Sequence, residues 1–146
     1  MVRIRQFWLA VPALFLGLTA SSVAQGGSDE FVCTPIAVWD GDGPVWCAEG
    51  PKLRLKGIAA REMDGTCSPG HPCPTASAVA ARDALVRLLG GPRGTMSTGH
   101  VRVHAPPMQC RASNISYSRI VAACRMGNGR DLSNAMLETG TVLPWR

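Results

Sequence analysis

Six cysteines are the first residues in this chain whose type and spacing imply chemistry: Cys33, Cys47, Cys67, Cys73, Cys110 and Cys124. An even number in a small exported domain reads as a disulfide framework. Six cysteines allow 15 pairings in principle, and sequence order suggests that neighbours pair: Cys33 with Cys47, Cys67 with Cys73, and Cys110 with Cys124. The first and last pairs each flank an expected hairpin, so their partners can face each other across adjacent strands. Each such loop would contribute about 3 kcal/mol by the chain-entropy estimate. A metal site from Cys67, His71 and Cys73 competes with the second pair. It offers three ligands with no fourth nearby, and an oxidising compartment favours the S–S bond. His100 and His104 share one strand face and have no third ligand.

A second set consists of acids and arginines spread along the chain. Asp40-Gly41-Asp42-Gly43 is a strong turn signal. Arg54 alternates with Lys52 and Lys56, which taken alone is the solvated side of a strand. Glu62 taken alone is a loop carboxylate. Arg119 follows Tyr117, the only tyrosine in the chain. Clustered rather than single charges suggest a site, and these residues form a site only if the fold gathers them. For Tyr117, base stacking and plain packing both remain open. Trp39, Trp46 and Trp145 read as core or edge packing.

The elements that must gather them can be read from the hydrophobic pattern. Phe31 to Trp39 is apolar and partly β-branched, and reads as one strand. Val45-Trp46-Cys47 resumes an extended segment, and Lys52 to Ile58 alternates like a half-buried strand. Together they make a β-meander. Arg61 to Pro74 has no hydrophobic period and is dense in Gly and Pro, so it reads as a loop. A helix follows, with Ala78, Ala81, Leu85 and Leu88 on one stripe and Asp83 and Arg87 spaced to pair. Gly90-Gly91-Pro92 stops it, and Gly91 to Gly99 reads as a flexible loop. His100 to His104 and Ile120 to Cys124 read as further strands. Asp131 caps a short second helix carrying Leu132, Ala135 and Met136, with Gly140 just past its end. Five or so strands with a helix after the third predict an α+β β-barrel of OB type, five-stranded, partly open and Greek-key.

The N-terminus predicts export. Arg3 and Arg5 precede an uncharged apolar run from Phe7 to Ala20, which is shorter than the roughly 20 residues of a membrane span. Small residues at Ser22-Val23-Ala24 place signal-peptide cleavage after Ala24. Residues 25–146 then form a single domain, expected to be a secreted or periplasmic monomer without stable membrane insertion. Loss of Arg3 and Arg5 leaves 13 Lys+Arg against 10 Asp+Glu, so the net charge falls from +5 to +3. A mildly basic surface suits a polyanionic partner but does not require one.

The order and spacing of four motifs resemble the staphylococcal-nuclease (thermonuclease) family. They are Val38-x-Asp40-Gly41-Asp42, Leu53-Arg54-Leu55-x-Gly57-Ile58, Glu62, and Tyr117-x-Arg119-x-Val121-Ala122. The resemblance runs from about Val32 to Leu143. It implies an OB barrel and calcium-dependent hydrolysis of phosphodiester bonds in DNA and RNA. It further implies that Asp42 ligates Ca²⁺ and that Arg54 and Arg119 hold the scissile phosphate. Glu62 would orient or deprotonate the attacking water, and Tyr117 would lie beside the nucleotide. The residue types suit that chemistry. Guanidinium groups meet charge developing on phosphoryl oxygens, a hard cation acts as a Lewis acid, and a carboxylate takes a proton from water.

Several positions depart from the family pattern. Ala59 stands where the family has its second calcium-ligating aspartate, Gly43 where it has threonine, and Ile115 and Ser118 where it has aspartate and glycine. The family's last helix has no counterpart before Arg146. Calcium affinity follows the number of charged oxygens, so metal binding and the nuclease rate are expected to be weak. Arg54, Glu62 and Arg119 together point to a phosphodiesterase. Ala59 points to a module that binds phosphate or another anion without cleaving it, or to a structural envelope domain.

Overall fold

The computed structural model describes residues 29–146, so the leader read from residues 1–24 lies outside the described residues. The chain runs β1 (Glu30–Cys33), β2 (Pro35–Val38), β3 (Val45–Cys47), β4 (Lys52–Leu55), β5 (Ile58–Ala59) and α1 (Ala78–Leu88). It continues through β6 (Val101–Arg102), β7 (Met108–Ser116), β8 (Arg119–Arg125), α2 (Leu132–Glu138) and β9 (Leu143–Pro144). Seven strands form one mixed sheet in the order β1-β7-β8-β4-β3-β2-β6, and β5 pairs with β9 in a small second sheet. The large sheet makes a half-barrel that carries two helices, an α+β barrel-like fold. Among the described residues no helix is long and apolar enough to cross a membrane.

One pairing in the large sheet decides where the charged residues meet. β4 lies parallel to β8, with Arg54 opposite Val121, whereas the other pairings are antiparallel. Arg119, at the start of β8, therefore enters the sheet two residues before Arg54's partner. Leu53, Leu55, Ile58, Leu85, Leu132 and Met136 are fully buried in the core. Burying a side chain of this size contributes about 1.5–3 kcal/mol. Helix α1 starts at Ser77, whose hydroxyl accepts from the Ala80 N–H at 3.1 Å. Its buried alanines let it lie against the Asp40–Gly43 turn. A Cβ on Gly41 would sit 2.4 Å from the Ala81 Cβ, and one on Gly43, at φ +119°, 2.4 Å from the Leu53 carbonyl oxygen. Side chains are excluded at both positions.

Several expectations change in the folded chain. The apolar run Phe31 to Trp39 is two strands: β1 pairs with β7, while β2 pairs with β3 and β6. Pro35 has no N–H to continue a ladder, and Thr34 donates from its N–H and its hydroxyl to Glu49 at 2.8 and 2.6 Å. The longest strand, β7, has no counterpart in the sequence reading. Only its first half alternates between buried and exposed, and its second half is polar or exposed. The expected strand at His100 to His104 shrinks to β6, and the described residues form nine strands rather than about five. The segment from Gly91 to Gly99, read as a flexible loop, is braced by backbone hydrogen bonds and a Thr95–Val101 bridge. Asp83 pairs with its neighbour Arg82 at 3.0 Å rather than with Arg87.

The three disulfides join Cys33 to Cys47, Cys67 to Cys73 and Cys110 to Cys124. Cys110 and Cys124 are direct cross-strand partners on β7 and β8. The bond between Cys67 and Cys73 removes both thiolates from the competing metal reading, and His71 is used elsewhere.

Candidate functional site

Arg54 is the centre of the site. The alternation with Lys52 and Lys56 predicts a solvated side chain, yet Arg54 is only 5% exposed. Its strand face is covered by the Asp42 turn, β5 and the C-terminal segment. Nη2 donates to Asp42 Oδ2 at 3.2 Å and to the Ile58 carbonyl at 3.5 Å, and Nη1 donates to the Leu55 carbonyl at 3.3 Å. The guanidinium carbon lies 4.8 Å from the centre of the Trp145 ring, a cation–π contact. The His71 ring stacks on Trp145 at 3.9 Å, and its Nδ1 is 3.5 Å from Arg54 Nη2.

Asp42 receives a second hydrogen bond, from the Ala60 N–H to the same oxygen at 3.0 Å. Burial pushes its carboxyl above the usual carboxylate range, against the pull of Arg54 and of the Ala60 N–H. Asp40, two residues earlier, is pushed up to about 8, first by burial and then by the Asp42 charge. Its Oδ1 accepts from the N–H groups of Asp42 and Gly43 at 3.2 and 3.0 Å. Asp40 therefore ties the turn together.

Glu62 is placed by the disulfide loop. Its N–H donates to the Thr66 carbonyl, and the Ser68 hydroxyl donates to its Oε1 at 2.5 Å. Arg61 braces the same loop by donating to the Gly65 and Pro74 carbonyls. Arg119 is half-buried and donates from Nε to the Ser116 carbonyl at 3.4 Å. Among the described residues Arg119 has no ion pair. Tyr117 and Ser118 form the β7–β8 turn, both with positive φ, at 48° and 59°. Asn-Gly suits such a turn better. Tyr117 is 90% exposed, so core packing does not account for it.

Asp42, Arg54, Glu62, Tyr117 and Arg119 all line one cleft of about 630 Å³. The residues named from the sequence are thus brought together from the first turn, β4, the disulfide loop and the β7–β8 hairpin. Lys56 and Arg146 add positive charge to the cleft wall, and His71, Ser68 and Trp145 complete it. Sequence reasoning missed these last three. The sequence suggests His71 only as a metal ligand beside two cysteines, and Trp145 only as packing. Nothing local in the sequence marks either one, because the contacts that use them are long-range.

The side chains as arranged gather few free oxygens for a calcium ion. Calcium takes six to eight oxygens. One Asp42 oxygen is held by Arg54 and Ala60, one Asp40 oxygen by two backbone N–H groups, and one Glu62 oxygen by Ser68. Ala59 is fully buried and offers no side-chain oxygen. Among the described residues no three or more His, Cys, Asp or Glu side chains form a group able to hold a metal ion. What the arrangement can do without a metal is hold an anion between guanidinium groups beside a carboxylate. No protein-family model, no curated protein and no solved structure matches this chain.

Proposed function

We propose that this chain is an exported, thermonuclease-like OB-fold domain that grips a nucleic-acid phosphodiester and hydrolyses it slowly. The observation that carries the reading is the shared cleft: Arg54 and Arg119 enter it from neighbouring parallel strands, and Glu62 faces the same space. Arg119 meets the phosphate first, because its guanidinium forms no ion pair among the described residues. Arg54 adds fixed positive charge, held in place by Asp42. Glu62 takes a proton from an attacking water, and Ser68 orients its carboxylate. No step is assigned to calcium, given the donor set.

A second reading is favoured by the Asp42–Arg54 pair and by Ala59: the same cleft binds a phosphate or other anion without cleaving it. One experiment separates the two. Fluorescently labelled single-stranded DNA is incubated with the mature, oxidised protein, with calcium or with EDTA, beside Glu62→Ala and Arg119→Ala. The hydrolytic reading expects slow cleavage that disappears in Glu62→Ala. Arg119→Ala should weaken binding roughly 10- to 100-fold, as loss of a hydrogen bond to a charged group implies. Binding without cleavage by folded protein selects the second reading. Cleavage that survives Glu62→Ala, or binding that ignores Arg119→Ala, refutes the site assignment.

A further inference from the structure

A second cleft of about 800 Å³ adjoins the first, and Glu62, Tyr117 and Arg119 line both. Its floor is aromatic. The His100 ring lies between two indoles, 5.0 Å from Trp39 at 44° and 4.4 Å from Trp46 at 46°. Lys52 Nζ sits 4.8 Å from the centre of the Trp46 ring. Thr98 Oγ1 lies 2.9 Å from His100 Nδ1, and a Cβ on Gly99 would come within 3.1 Å of Trp39, so the 98–100 turn rests directly on the indole. Trp39 and Trp46 read from sequence as packing residues, yet both are only half-buried and both line the open cleft.

We propose that this aromatic cleft is a nucleobase-stacking subsite, which seats a base next to the phosphodiester held by Arg54 and Arg119. The proposal rests on the phosphodiester reading above. Its ligand class is single-stranded nucleic acid, whose bases present flat π-faces while its phosphates need cations. Stacking on aromatic rings is tolerant of sequence, because every base has such a face. Lys52 and Arg119 also line this cleft and supply the cations that phosphates need. The shared wall of Glu62, Tyr117 and Arg119 connects the two clefts, so one strand can occupy both. Double-stranded nucleic acid hides its base faces and does not suit this floor. Burial, and then the Lys52 charge, hold the His100 imidazole below its ordinary titration range, which favours the neutral ring.

The test compares a short oligothymidylate with the same sugar-phosphate chain carrying abasic sites, both fluorescently labelled. Each is titrated by anisotropy, in EDTA, into wild-type protein and into Trp39→Ala and His100→Ala. The proposal expects wild-type protein to bind the base-containing strand about tenfold more tightly than the abasic one. Either variant should abolish that preference and leave abasic binding unchanged. If Trp39→Ala does not fold, His100→Ala and the wild-type comparison still decide. Equal binding of the two strands by wild type overturns the stacking subsite and leaves the phosphodiester reading standing. Binding of neither strand overturns both.

Discussion

Replacing Asp42 by Asn should lower stability and raise anion affinity together. The carboxylate lies between Arg54 Nη2 at 3.2 Å and the Ala60 N–H at 3.0 Å, and both side chains of the ion pair are almost fully buried. Breaking a buried pair outright costs about 3–5 kcal/mol. Asn keeps the shape and one acceptor, but a neutral acceptor bonds about half as strongly as a charged one. The expected loss is therefore about 1.5–2.5 kcal/mol, or a fall of roughly 6–10 °C in Tm for a domain of this size. The effect on the ligand has the opposite sign. A phosphate on the Arg54 guanidinium would feel the Asp42 charge, and like charges about 6 Å apart repel by about 3 kcal/mol at an effective dielectric near 20. Exposure of the cleft reduces this to on the order of 1 kcal/mol, so affinity should rise several-fold. Calorimetric unfolding gives the first quantity, and titration with a nucleoside bisphosphate in EDTA gives the second. Weaker binding by the folded variant would refute the competition between carboxylate and phosphate for Arg54, and would return Asp42 to a direct role in holding the ligand.

Two further outcomes follow from the geometry. Asp40, with its carboxyl raised to about 8, holds a proton that the unfolded chain releases near pH 4. Its stabilising contribution is full below about pH 4 and is lost as pH rises to about 8, at up to about 1.4 kcal/mol per pH unit. Asp40→Asn keeps the acceptor for the two turn N–H groups and should flatten that slope between pH 5 and 8 in urea midpoints; parallel slopes would refute the shift. Opening the Cys67–Cys73 loop with a double Cys→Ser variant should cost about 2 kcal/mol by chain entropy. Because the loop carries Ser68 and His71 into the cleft, nucleoside bisphosphate affinity at low temperature should also fall. A pure stability loss with unchanged affinity would show that the loop does not shape the site.

Part of this architecture is legible in the sequence, for identifiable physical reasons. The disulfide partners are the ones that cysteine order suggests, because each pair closes a local loop. Helices α1 and α2 follow from apolar spacing, and the Asp131 cap from its side-chain chemistry. The motif series places Asp42, Arg54, Glu62, Tyr117 and Arg119 in one cleft, where the structure brings them together. The alternation rule misjudges Arg54, because covering of its strand face by distant segments is not a local property. Strand β7 escapes notice for a related reason: its partners β1 and β8 supply the hydrogen bonds, so its own residues need no hydrophobic alternation. His71 and Trp145, 74 residues apart in the sequence, meet only in the folded chain.

The parallel seam between β4 and β8 bears on the order of assembly. Each disulfide closes within its own part of the chain, and none links the residues up to Pro74 to those from Met108 onward. Oxidation can therefore finish in each half before β4 and β8 meet. Pairing across such a sequence separation must first overcome loop-closure entropy, which slows it. Arg54 and Arg119 lie on opposite sides of that seam. A fully oxidised chain can therefore exist without a working cleft.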